Sequence, residues 1–211
     1  MAQGQNPFDT PQYAAGSRFE TVAKHVLGIE GGFSDNASDR GGTTNHGISL
    51  RFLRAEGKFD LDHNGHPDLD LDFDGDLDGH DIRLLTAQQS LNLFYLCFWH
   101  RFDLDRLPVP IDGAVFDQAV NGGAVAAVKM LQRALNRLAV ASGDLKVDGV
   151  LGNQTIGRVF TAGRVRQGYG SLVMAYRQEA EARYNAIVRA DSSQVVNLAG
   201  WVARARRLGD V

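Results

Sequence analysis

The sequence predicts a mostly α-helical protein that carries one short β-hairpin and one inserted acidic loop. Three observations point there. Apolar residues return at helical spacing through most of the chain, no segment reads as a buried parallel strand, and a polar, glycine-rich run over Phe33–Ser49 separates two helical segments. With 211 residues the chain can bury one large helical core, or two small ones packed closely together. Its 44% hydrophobic and 22% charged residues exclude a disordered chain. No run approaches the roughly 18 apolar residues needed to span a bilayer, so stable membrane insertion is not expected.

The elements follow in chain order. Residues 1–16 hold two of the five prolines and no periodicity, and read as a flexible N-terminal arm. They lack the basic start and apolar run of a Sec-type signal peptide. Ser17-Arg18-Phe19-Glu20 fits a capping box, after which Phe19, Val22, Ala23, Val26 and Leu27 form an amphipathic stripe. One more turn of that stripe reaches Glu30, and the helix is expected to stop at Gly31-Gly32, where glycine accepts the left-handed cap. Residues 50–57 and Thr86 to about Trp99 read as further helices, the second with Leu91, Phe94, Tyr95 and Phe98 on one face. Cys97 is the single cysteine; it excludes an intramolecular disulfide and reads as a core residue.

The break Leu107-Pro108-Val109-Pro110 sets the expected boundary between a region 17–110 and a region 111–211. Beyond it, helices are expected at 111–121, 124–138, 153–162, 165–189 and 195–208. Val125, Val128, Leu131, Leu135 and Leu138 form the stripe of the second of these. Val165, Leu172, Tyr176, Ala180 and Tyr184 form that of the fourth.

The net charge of −3 conceals an uneven distribution. Nine aspartates and no Lys, Arg or Glu lie between Asp60 and Asp81, which leaves 22 basic against 16 acidic residues elsewhere, a balance of +6. A basic body suits a polyanionic substrate, nucleic acid or cell wall, and charge does not choose between them.

Chemistry concentrates in one stretch. Glu30-Gly31-Gly32-Phe33 is followed by Asp39-Arg40-Gly41-Gly42-Thr43-Thr44-Asn45-His46-Gly47-Ile48, which puts a Glu, an Asp and a Thr into one helix-to-hairpin unit. Glycosidic cleavage needs such groups: a protonated carboxyl to donate to the leaving oxygen, and a second polar group to stabilise the oxocarbenium-like state or direct water. Glu30, at the end of an apolar helix face, is expected to hold its proton through lost hydration and the negative end of the helix dipole. Asp39, in a polar glycine-flanked segment, is expected to stay ionised. A lone glutamate before Gly-Gly is ordinarily a solvated helix end, so the weight falls on the extended pattern.

That pattern resembles the signature of glycoside hydrolase family 108, a family of N-acetylmuramidases, which reads roughly E-G-G-[FY]-x(5)-D-x-G-G-x-T-x-x-G-I. Glu30, Gly31, Gly32, Phe33, Asp39, Gly41, Gly42, Thr44, Gly47 and Ile48 meet every fixed element. Arg40, Thr43 and His46 depart from its usual residues. The resemblance continues in Phe116-Asp117-Gln118-Ala119-Val120-Asn121-Gly122-Gly123, similar to F-D-x-A-V-N-x-G. It resumes at Leu131-Gln132 with Asp148-Gly149, Gly152 and Thr155, similar to L-Q…D-G-x-x-G-x-x-T of a peptidoglycan-binding region, and ends at Gly200-Trp201 with Arg204.

What the resemblance implies is a lysozyme-like helical fold with a catalytic region at 17–110, interrupted by an insertion over about 58–83, and a helical peptidoglycan-binding region at 111–211. It further implies Glu30 as general acid, with Asp39 and Thr44 positioning water or the developing charge. The polyanion becomes peptidoglycan and not nucleic acid, cleaved between N-acetylmuramic acid and N-acetylglucosamine. His46 is the candidate hairpin contact to the glycan. Asn121 is a second candidate contact, although Asn121-Gly122-Gly123 also suits a helix end and Asp148-Gly149 a turn. Trp201 reads as a packing residue. A lytic transglycosylase using the same Glu30, or a non-catalytic calcium-dependent wall-binding module, are the alternative readings. Synthesis in a bacterial cytoplasm, export through a holin or a dedicated secretion route, action at the wall and a monomeric state are expected.

The insertion fits an EF-hand-like loop over Asp70–Asp81. Oxygen donors fall at positions one, three, five, nine and twelve (Asp70, Asp72, Asp74, Asp78, Asp81), with the backbone carbonyl of Asp76 at seven, Gly75 at the turn and apolar Leu77 at eight. Asp at position twelve resembles the calcium loops of dockerins. A structural calcium ion is expected there. The stretch from Asp60 is poorer, with Pro67 at eight and Leu71 at twelve, and offers Asp60, Asp62, Asn64 and Asp68 to an imperfect second site.

Overall fold

The computed structural model describes residues 5–28, 43–165 and 168–211. The chain divides into two compact units, one running to Cys97 and the other from Phe98. The division lies upstream of the proline break expected to mark it, and Trp99 supplies the reason. This fully buried side chain donates its indole N–H to Asp105 Oδ1 at 2.7 Å and meets Phe116 edge-on at 5.6 Å, so residues 98–110 belong with the helices that follow.

In the first unit, α1 (Arg18–Leu27) is capped by the Ser17 hydroxyl, which accepts the Glu20 N–H, while the Glu20 carboxylate takes the Gly16 N–H. Phe19, Val22 and Ala23 are buried, as the stripe predicts. The helix closes at Gly28, left-handed at φ 54° and ψ 50°, and not at Gly31-Gly32. The expected further turn to Glu30 lies outside the described residues.

A two-stranded antiparallel hairpin follows, β1 (Thr44–Asn45) and β2 (Ile48–Ser49), with Thr44 opposite Ser49 and Asn45 opposite Ile48. Its two connecting residues both have positive φ, His46 at 45° and Gly47 at 81°, as a type I′ turn requires. Ser49 ends β2 and caps α2 (Leu50–Glu56). Two further helices, α3 (Gly79–Leu84) and α4 (Ala87–Phe94), each start on a capping box. The last turn of the helix expected to reach Trp99 is π-helical, over Tyr95–His100, and Cys97 within it is buried.

Residues 5–16 are not a loose arm. Phe8 is fully buried and packs on Phe59, ring centroids 5.7 Å apart. Buried Asn92 on α4 donates to the carbonyls of Phe8 (2.9 Å) and Thr10 (2.7 Å) and accepts the Gln12 N–H (3.0 Å). The Gln89 amide holds Asp9, and Tyr13 completes an aromatic cluster with Phe19 and Tyr95. This short 3-10 turn (Pro7–Asp9) and its extended flanks have no periodicity to read.

The second unit is built from α5 (Ile111–Gly122), α6 (Ala124–Leu138), α7 (Asn153–Arg164), α8 (Tyr169–Ala190) and α9 (Val195–Ala205). α6 packs against α5 and α8, and α8 against α7 and α9. The α6 stripe holds for Val128, Leu131 and Leu135, but Val125 is half exposed. On α8, Leu172, Tyr176, Ala180 and Tyr184 are buried, whereas Val165 precedes the helix and is exposed. Trp201 is half-buried and stacks on Tyr184 at 5.3 Å, a packing role. No described helix is long and apolar enough to cross a membrane.

Candidate active site and aspartate-rich loops

Glu30 and Asp39 lie outside the described residues. Thr44 is described, half-buried on β1. The hairpin turn comes back onto the end of α1: a Cβ on Gly47 would stand 3.4 Å from the Phe94 ring and 3.9 Å from Leu27 Cδ2. Glycine is needed here for its positive φ; the space itself would admit a Cβ in ordinary van der Waals contact. Buried Asn45 fixes the hairpin from beneath, donating to the carbonyls of Ile82 (2.9 Å) and Leu85 (3.0 Å) at the end of α3. The family signature leaves that position open, so sequence reasoning did not single it out. His46 shares the hairpin with Thr44, held in the left-handed region by the turn, and its Nδ1 is buried.

Asn121 is exposed on the last turn of α5 in the second unit, its amide donating to the Asp117 carbonyl one turn earlier at 2.8 Å. The motifs around it are joined internally. Asp117 accepts both bonds of the Arg204 Nε–H, at 2.9 and 3.1 Å, which links the F-D-x-A-V-N-x-G segment to the C-terminal helix motif. Gln132, 2% exposed, is the hub of the L-Q…D-G-x-x-G-x-x-T pattern. Its amide N–H groups reach Asp148 Oδ1 (2.8 Å), the Val150 carbonyl (3.1 Å) and Thr155 Oγ1 (3.3 Å), and its oxygen accepts the Gly149 N–H (2.9 Å). Gly149 has φ 84° and leaves no room for a Cβ against Val125. A glutamine on the buried face of an amphipathic helix was the sequence signal for this hub.

Asp148 also accepts the Val150 N–H, and that bond followed by the Gln132 amide holds its carboxyl below the usual aspartate range. Any contribution to stability is therefore present above the ordinary aspartate pKa and is lost as pH falls through the lowered one. Gln132→Leu preserves volume but strands the buried Gly149 N–H, at a cost of about 2–3 kcal/mol. The expected result is a melting temperature lower by roughly 5–10 °C, with unchanged binding of the folded protein to sacculi. Weakened binding at an unchanged melting temperature would instead make the motif a ligand contact.

The insertion holds two loops of the same build, ten residues apart. Asp60 Oδ2 accepts the Gly65 N–H and Asp70 Oδ2 the Gly75 N–H, both at 3.0 Å. His63 and Phe73 take left-handed φ of 58° and 63°, ahead of Gly65 and Gly75 at 89° and 98°. The first loop closes on Asp68, whose carboxylate accepts the Leu61 N–H at 2.7 Å, and not on position twelve. The second closes on fully buried Asp81, which accepts the N–H groups of Leu71 (2.6 Å) and Asp78 (2.7 Å). Leu77 is buried, as position eight predicts, and Arg54 of α2 donates to its carbonyl at 2.8 Å.

Of the expected ligands, Asp70, Asp72 and Asp74 bring carboxylate oxygens within 4.8 Å of one another, as do Asp72 and Asp78 with His80. Asp81 is a latch on backbone N–H groups, and the Asp76 side chain is exposed. Burial pushes the Asp81 carboxyl above the ordinary aspartate range, with repulsion from Asp72 and Asp70 adding to it. At an effective dielectric of about 20, two carboxylates about 5 Å apart repel by roughly 3 kcal/mol.

Residues 23–123 match the family model Glycosyl hydrolase 108, and residues 126–206 match a Predicted Peptidoglycan domain. The solved structure of Brucella abortus SagA shares the fold, with a TM-score of 0.67 over 91% of each chain at 23% identity. No curated protein matches. A mostly helical, lysozyme-like fold with these two regions defines a glycosidase that acts on peptidoglycan. Over residues 23–123 the chain belongs to glycoside hydrolase family 108, and a peptidoglycan-binding region follows in sequence at 126–206.

Proposed function

We propose that this hydrolase cleaves the β-1,4 bond between N-acetylmuramic acid and N-acetylglucosamine, with Glu30 as general acid and Asp39 and Thr44 assisting. The observation that carries the reading is the complete Glu30-to-Ile48 signature inside the matched hydrolase region. The hairpin supports it, because the turn after Thr44 comes near Leu27, which a Cβ on Gly47 would approach to 3.9 Å, at the end of the helix that precedes Glu30 in sequence. Glu30 protonates the leaving glycosidic oxygen; Asp39 and Thr44 stabilise the oxocarbenium-like state or direct the attacking water. His46 and Asn121 contact the glycan. The enzyme works at the cell wall, which it reaches through a holin-like pore or a dedicated secretion route.

Purified sacculi decide the matter through turbidity followed by mass spectrometry of the released muropeptides. Reducing muramic ends are expected. Products with a 1,6-anhydro ring would reassign the chain to lytic transglycosylation, and binding without any release would make it a wall-binding module.

A further inference from the structure

The second aspartate loop contains a feature that its own hydrogen bonds do not resolve. Asp70 is 2% exposed, and while its Oδ2 is taken by Gly75, its Oδ1 is buried without a partner. Asp72 Oδ1 is buried and unpartnered as well. A carboxylate oxygen removed from water needs a donor or a cation, and these two belong to residues whose carboxylates, with that of Asp74, converge within 4.8 Å. His80 approaches Asp72 at 3.4 Å on its other oxygen, and its side chain is largely exposed. In the first loop, by contrast, both oxygens of Asp60 and of Asp62 accept N–H groups of Asn64 or Gly65.

We propose that Asp70, Asp72 and Asp74 hold one calcium ion, which fastens the second loop to α3. The donor chemistry selects the ion: carboxylate oxygens, with the Asp76 carbonyl in the same loop, suit a hard divalent cation, and a flexible oxygen set suits calcium better than magnesium. Asp81 serves as the latch that couples the ion to α3. It is fully buried, belongs to the first turn of α3, and binds the backbone of both Leu71 and Asp78. The ion therefore acts on the fold, one element away from the Asn45 clamp beneath the hairpin.

The test uses the full chain, stripped with a chelator and titrated with calcium chloride, by calorimetry and by thermal scan. At calcium a hundredfold above the dissociation constant, the melting temperature is expected to rise by roughly 5–10 °C. The variant Asp72→Asn/Asp74→Asn, which keeps the acceptor oxygens used by the backbone, is expected to bind one ion fewer and to lose that rise. Asp60→Asn/Asp62→Asn is expected to keep the ion lost by the first variant. Identical melting in calcium and chelator overturns the proposal. So does an Asp72→Asn/Asp74→Asn variant that binds as many ions as the parent chain.

Discussion

Replacing Glu30 by glutamine is expected to lower peptidoglycan turnover by at least about a hundredfold while leaving the melting profile unchanged. The amide keeps the shape of the side chain and cannot deliver the proton that the leaving oxygen requires. A hundredfold loss corresponds to about 2.7 kcal/mol of barrier, the low end for a positioned general acid. Activity within a few-fold of the parent protein would remove Glu30 from the mechanism. Asp39→Asn and Thr44→Ala are expected to cost less, since both residues orient or stabilise without donating the proton. If either variant binds sacculi much more weakly, its residue anchors substrate and does not assist the chemistry.

The second large effect is structural. Phe8→Ala is expected to destabilise the first unit by about 3–5 kcal/mol, because Phe8 is fully buried and its removal opens a cavity against Phe59. For a chain of this size that is a fall in melting temperature on the order of 10 °C, measurable in a simple thermal scan. A flexible arm would show no change. Asn92→Leu provides the control, because it leaves the Phe8 side chain intact and strands the Phe8 and Thr10 carbonyls that Asn92 now serves. Destabilisation by both variants shows that the segment is held by packing and hydrogen bonding together.

The sequence determined by itself whatever depends on neighbours within a turn or two. The start of α1 at Ser17, the full extent of α6 and the helical period of α8 were legible because capping and amphipathic spacing act over three to seven residues. The two aspartate loops were legible for the same reason, since each closes on backbone N–H groups of its own segment. The Glu30-to-Ile48 signature was legible as a pattern of residue types, without its geometry. The tertiary structure alone decided where α1 ends, that residues 5–16 belong to the core, that Trp99 draws residues 98–110 into the second unit, and that Gln132 is consumed by architecture. Asn92 lies 84 positions from Phe8 and Asn45 lies 40 from Leu85. No local period encodes such pairs; they form because a buried amide and a buried carbonyl must each find a partner once the helices have packed, wherever along the chain that partner lies.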